Sequence, residues 1–479
     1  MPSAATLASA AAAALLLVHA PGSVLGACNF AKTSIATDPG FTIAVEDDYK
    51  VLEDSSAGVK YGLYCDSQPS GVSGVDRWFK VPVQSVGLRI PIASGFVEAL
   101  GHRDLITAAA APGNLTNICI DTSKLQTLDT DGSSSDDDKP DVDVVFSASA
   151  DTDGDRSVRL PSDDSLSPLQ KAEWIKFVAA FFNDEESAES LFGSIADAYN
   201  CHWGNLQHIE EPHHAYWVQY VDGEDDSDAK KYRVFDSPYQ KDLLAGAGAT
   251  NDTRSAVDSN DLGNFQDAIK DAEFVFDQSN LTERGQRISE WYKTFGYTDP
   301  QNSDVSFLRS RNIWSTDKYT SKDGVSNFAE FAYVRPDLVL QDVISVIEPT
   351  YDPGHSRRWL LWLGGTNEKS TVIGSDNYDC DKPWITSVSK CTARSDFTGD
   401  GDGESDDGSD SGDKDSGSGS SGRTGKIVGG VIGAVAAVVL IIVAAHYYNR
   451  RRRDARIRVL AQSRYGGEGA GLPGTQHFD

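Results

Sequence analysis

Basic residues are scarce: 43 Lys and Arg stand against 72 Asp and Glu, leaving a net charge of -29. A nucleic-acid binder needs a basic face to displace counterions from phosphate, and this balance excludes that class. Catalytic signatures are missing as well. No Gly-x-Ser-x-Gly elbow presents a nucleophile, no P-loop cradles phosphate, and no His-Glu-x-x-His pair holds zinc. The expectation is a binding protein, not an enzyme, with no cofactor of its own. Two acid ladders, Asp151, Asp153, Asp155 and Asp400, Asp402, Glu404, lack the glycine and the terminal acid that close a calcium loop of the EF-hand type. Runs at 133–138 and 400–415 concentrate the negative charge and read as solvated polyanion.

Charge is also absent from both apolar ends. Residues 4–18 form an uncharged run, followed by Pro21, Gly22 and the small-residue stretch 24–27, so 1–27 reads as a secretory signal. Leu25-Gly26-Ala27-Cys28 also resembles a bacterial lipoprotein box. Residues 427–446 have the length and hydropathy of a membrane span, and Tyr447, Tyr448 and Arg450 to Arg453 supply an interface anchor and a basic stop. The chain is expected to be a single-pass type I protein of the plasma or endosomal membrane, with its ectodomain extracellular or luminal. The boundaries read as signal 1–27, N-terminal lobe with a hairpin extension 28–183, connector helix 184–208, C-terminal lobe 209–395, acidic Gly/Ser/Asp stalk 396–425, membrane helix 426–448 and cytoplasmic tail 449–479. Gly429, Gly433 and Ala437 share one face of the span and predict weak self-association.

All six cysteines, Cys28, Cys65, Cys119, Cys201, Cys380 and Cys391, precede the stalk. An even count in an exported segment favours disulfides whose pairing sequence leaves open, with Cys380 and Cys391 close enough to staple a local loop. Sequons at Asn114, Asn251 and Asn280 fit a glycoprotein on the secretory route.

Ser167 begins a helical block: it can cap, with Pro168 first in the helix and Gln170 three residues on, and Trp174, Phe177, Val178, Phe181 and Phe182 then recur at helical spacing. Asn183 and Asp184 interrupt the run and start a second helix of about 20 residues carrying Ala188, Leu191, Phe192, Ile195 and Tyr199. Strand patterns precede this block at 41–45, 60–64, 81–88, 105–109 and 141–146, with a helix at 92–100. They return after it at 215–221 and 274–277, with helices at 239–245, 265–272 and 281–292. The pattern predicts two α/β lobes with parallel sheets, facing each other across a cleft, and a connector helix.

Three segments carry a family likeness. Residues 86–106, including Phe96-Val-Glu-Ala-Leu-Gly101, look like a first strand, helix and second strand. Residues 140–146 followed by 168–177 look like a strand and connector region. Arg335-Pro-Asp-Leu-Val-Leu-Gln-Asp-Val-Ile344, ending near Glu348-Pro349, looks like a closing helix. In order and spacing these resemble the helical-backbone (class III) substrate-binding proteins, which capture cobalamin, haem and ferric siderophores. On that alignment Tyr239, Gly246 and Asp271 fall at positions comparable with residues of related chains. The signal, N-terminal extension and C-terminal span are similar to those of the cobalamin acquisition proteins of algae and related eukaryotes. The resemblance implies two Rossmann-like lobes joined by a long connector helix, with cobalamin held between them for uptake through an unknown transporter or endocytic receptor. A ferric siderophore, haem or another iron ligand is the alternative, and an adhesion or signalling receptor a second one.

Orientation of a ligand in such a cleft needs polar groups at strand ends and aromatic faces for area. The candidates are Arg89, Ser147 and Ser149 on the first lobe, and Trp217, Tyr220, Asp222, Asp277, Gln278, Trp314 and Asp317 on the second. Core packing is the competing role for both tryptophans, and a carboxylate contact for Arg89. His202, His208, His213 and His214 lack a convergent metal-ligand spacing and are expected to be solvent-exposed, with no metal.

Overall fold

The computed structural model describes residues 30–397 apart from 130–139, 163, 223–229, 252–256, 280–287, 299, 301–302, 366–367 and 395–396. The expected signal segment, stalk beyond 397, membrane span with its small-residue face, and tail lie outside the described residues. So do Asn280 and both acid runs. No helix among the described residues is long and apolar enough to cross a membrane.

Four strands open the fold: β1 (Phe41–Val45), β2 (Tyr49–Asp54), β3 (Val59–Tyr64) and β4 (Arg77–Lys80), paired in that order, with β4 parallel to β3. The sequence pattern predicts only the first and third. Strand β2 is hidden because its buried face carries charge: Lys50 and Asp54 flank Leu52 and are themselves fully buried. Each has a partner, Lys50 in Glu185 and Asp54 in Arg159 at 2.7 Å.

The next sheet is all parallel, in the order β7-β6-β5-β8-β9: β5 (Val86–Leu88), β6 (Ile106–Ala109), β7 (Gln126–Thr127), β8 (Val144–Ser147) and β9 (Ser157–Arg159). Helix α1 (Pro91–Ala99) crosses from β5 to β6, as expected. Strand β5 is shorter than the predicted 81–88, and among the described residues the later crossovers contain only short 3-10 turns. The outer face of this sheet accordingly buries a small cluster, Ala108, Leu128, Val142 and Val145.

Helix α2 (Pro168–Phe182) forms where its cap predicts. Ser167 Oγ accepts from the Gln170 amide, the Gln170 side chain accepts from the Ser167 amide, and Asn183 closes the helix at φ 54°. Its burial exceeds a single stripe, because the helix lies between two layers. Trp174 and Phe177 pack on Phe41, with ring centroids 4.9 and 5.3 Å away. Phe181 meets Phe79 of the N-terminal sheet and Phe146 of β8. The polar residues on the remaining face are matched: Glu173 accepts from the amides of Ala36 and Thr37 and pairs with Lys176. Helix α3 (Glu185–Asn205) follows, within the predicted connector.

After the β5–β9 sheet, which is the first of the two α/β sheets, the second runs β13-β11-β10-β14-β15-β17, with β12 beside β10. Its strands are β10 (His213–Val221), β11 (Lys231–Val234), β12 (Ala249–Thr250), β13 (Val257–Ser259), β14 (Phe274–Asp277), β15 (Ile313–Ser315) and β17 (Leu361–Trp362). Strands β10, β14 and β15 are mutually parallel, and β11, β13 and β17 make antiparallel edges. A separate parallel pair joins β16 (Tyr319–Thr320) to β18 (Thr371–Val372). Helices here are α4 (Pro238–Gly246), α5 (Leu262–Ala268), α6 (Ile288–Thr294), α7 (Ser306–Ser310), α8 (Phe328–Phe331) and α9 (Pro336–Ile347).

Alternation along β10 separates two cores. Ala215 and Trp217 join a continuous cluster that also takes in Val86, Phe146, α2 and α9, whereas Tyr216 and Val218 pack with Trp291, Phe295 and Phe307. One core therefore spans both parallel sheets. Helix α1 meets α8 closely: a Cβ on Gly95 would lie 2.0 Å from the Glu330 carbonyl oxygen, so glycine is required. The buried Glu330 carboxylate accepts from Ser94 Oγ at 2.5 Å and from the Thr116 amide at 2.7 Å. The expected local staple does not form. Cys380 pairs with Cys119 and Cys391 with Cys201, over 261 and 190 residues of sequence, and Cys65 is also disulfide-bonded.

Candidate functional site

A cavity of about 790 Å³ opens at the carboxyl ends of the second sheet's parallel strands, where a parallel sheet presents its ligands. Gln219 near the end of β10, Gln278 and Ser279 after β14, and Thr316 and Asp317 after β15 form one wall. Phe235 after β11, Phe328 of α8 and Tyr333 supply aromatic surface. The segment leading into α2 contributes Ser162, Asp164 and Ser165 at the mouth, where both serines are exposed.

Polar wall residues are held by specific partners. Asp164 pairs with Lys171 at 3.0 Å and accepts from Gln240 at 2.7 Å. Lys171 is fully buried, its Nζ 3.6 Å from the Tyr333 ring centroid. Arg233 pairs with Asp258 at 3.0 Å and reaches Gln219. Ser279 donates its hydroxyl and its amide to Asp277 Oδ1 while its Oγ accepts from the Tyr220 amide at 2.7 Å. Behind the wall, Asp277 Oδ2 has no well-formed hydrogen bond among the described residues, nor does Asp317 Oδ1 in the wall itself, although the Trp291 indole and the Ser315 hydroxyl lie close enough to favour the charged form of Asp277 and Asp317 respectively. Burial pushes the Asp317 carboxyl up to about 7, and neighbouring Asp277 adds to the rise. Desolvation likewise raises Asp277, to about 6, against the hydrogen bonds from Ser279.

Of the ten residues proposed from sequence, Gln278 and Asp317 line this cavity. Asp277 lies directly behind it, and Tyr220 is tied to it through Ser279. The others are placed differently. Arg89 is held by Asp153 and by Asp129, the latter at 2.9 Å, with its side chain 5% exposed. Ser147 is buried and accepts from the Ser149 amide, and Asp222 is exposed and takes the Tyr220 hydroxyl at 2.8 Å. Trp217 is a core residue stacked on Phe276, and Trp314 stacks on Trp362 under the Arg357 guanidinium. Thus none of the first lobe's three candidates reaches the cavity wall, to which that lobe contributes the segment after β9 instead. Phe235 was reachable by extending the strand-end rule to β11, whereas Asp164, Ser326, Phe328 and Tyr333 carry no local signal.

His202, expected on the surface, is buried between the Tyr351 hydroxyl at 3.0 Å and Ser389. Among the described residues no group of three or more His, Cys, Asp or Glu side chains is arranged to hold a metal.

No protein-family model matches the sequence, and no curated protein is similar to it. Solved structures that align with this chain include a periplasmic heme-binding protein from Pseudomonas aeruginosa, at 12% identity over 61% of this chain and 100% of that one, with a TM-score of 0.43. A petrobactin-binding protein from Bacillus subtilis matches at 10% identity, covering 63% and 98% of the two chains, with a TM-score of 0.42. A periplasmic binding protein from Veillonella parvula matches at 14% identity, covering 58% and 88%, with a TM-score of 0.42.

Proposed function

We propose that this protein captures a small organic solute or metal chelate, and that the cavity at the ends of β10, β14 and β15 is where it binds. The cavity carries this reading: it combines three aromatic faces with hydroxyl, amide and carboxylate groups fixed by their own hydrogen bonds. Fixed polar groups orient a ligand at little ordering cost, and aromatic faces supply contact area. Its volume falls in the range of about 300–1,000 Å³ typical of sites for drug-sized ligands. A ferric siderophore or a haem-sized body suits that space. Cobalamin, with its corrin side chains and nucleotide loop, is larger and would stand partly outside unless the walls part. On this reading the span at 427–446 holds the binding unit at a cell-surface or endosomal membrane, and a separate transporter or receptor carries the solute inward.

Titration of the full-length chain in detergent with a ferric siderophore, haem and cobalamin tests the proposal. A ligand that binds only the folded state adds about 2.7 kcal/mol of stability at a hundredfold excess over its dissociation constant, read as a rise in Tm. Trp217 and Trp359 pack against Phe328 of the cavity wall, so tryptophan emission should change with it. If none of the three ligands moves either signal, the proposal fails.

A further inference from the structure

The inner end of the cavity is built around a buried carboxyl group. Asp317 is 2% exposed, lines the cavity, and has an oxygen without a well-formed hydrogen bond among the described residues. Three hydroxyl hydrogens of the cavity are spent inside the protein, Ser279 donating to Asp277, Ser326 to the Thr316 carbonyl at 2.6 Å and Ser237 to Gln240, and the buried Ser315 hydroxyl is the protein donor that serves the Asp317 carboxyl. A hydroxyl whose hydrogen is committed elsewhere offers only lone pairs to a ligand. The cation among the described wall residues, Arg233, is already matched by Asp258.

A buried carboxylate facing such a space is left under-satisfied unless the ligand brings further donors. We infer that the ligand presents an ammonium group to Asp317, which makes the substrate class an amine-bearing solute. The inference rests on the solute-capture reading above. An ammonium has three donors, enough for the carboxylate and the lone pairs of Ser279 and Ser326, while Phe328 and Tyr333 receive the body of the molecule.

Asp277 is the charged group that acts on Asp317 directly, and the cavity's other charged and titratable groups are Asp164, paired with Lys171, Tyr333, and Arg233, paired with Asp258. Asp317, pushed to about 7, is the wall carboxyl that gains its proton on mild acidification. Amine binding should therefore be stronger at pH 8 than at pH 5.

The test compares ferrioxamine B, a ferric chelate with a free ammonium arm, with its N-acetylated form on the full-length chain. The expected result is at least tenfold tighter binding of the free amine at pH 8, with the preference shrinking at pH 5 and lost in Asp317→Asn. Ser326→Ala, which removes one acceptor, should reduce the preference several-fold and provides a second variant. Equal binding of the two chelates, or a preference that survives in Asp317→Asn, overturns the inference and leaves solute capture standing. Binding of haem or cobalamin with neither chelate does the same. Failure of every solute overturns both.

Discussion

Asp317 and Asp277 are costly to keep ionised, because each loses water without gaining a cation. Their raised pKa values mean that the folded state holds protons more tightly than the unfolded chain does. This stabilising contribution is complete below the ordinary carboxyl range, near pH 4, and disappears as the pH climbs through about 6 and 7. Asp317→Asn is therefore expected to be more stable than the parent at pH 8, by about 1 kcal/mol or more, and to show a flatter stability profile between pH 4 and 7. Urea denaturation across that range measures both. Arg89 shows the opposite outcome at the same scale. Its place after a strand end fits a ligand contact, but Asp129 and Asp153 occupy its guanidinium, and neither belongs to its local sequence.

Elements were legible wherever their signal was local. The capping box of α2 and the apolar alternation of β10 and β14 identify those segments because capping and pleating act over a few residues. Strand β2 escaped because its buried charges make sense only beside Glu185 and Arg159, more than a hundred residues away. The contact of α1 with α8 is equally non-local, and it ties the first sheet's crossover helix to a cavity wall. Gly95→Ala would drive a Cβ into the Glu330 carbonyl oxygen, a backbone atom with little room to move. The expected cost is about 1–3 kcal/mol, with weakened solute binding because α8 carries Phe328. Melting curves and titration of the same variant check the two effects together.

At the largest scale, the last described residues tie distant parts of the fold together. Residues 380–394 return to Cys119 and to Cys201 of α3, and Asn205 accepts the Arg394 amide at 2.7 Å while donating to the Tyr351 hydroxyl at 2.8 Å. Cross-links over such long separations restrict the unfolded chain most. Replacing Cys201 and Cys391 together by Ala should cost about 2–5 kcal/mol, measured by denaturant unfolding under non-reducing conditions. The solute cavity should survive that loss, since neither cysteine lines it.

By itself the sequence determined the α/β class, the main helices and the strand ends where polar groups collect, since propensity, capping and hydrophobic period are properties of neighbouring residues. The tertiary structure alone decided which strand ends share a cavity, which cysteines pair and which charges are spent on the protein itself. Those outcomes depend on chain segments brought together by folding, such as Asp164 and Phe328 across the same space, and no local pattern encodes that meeting.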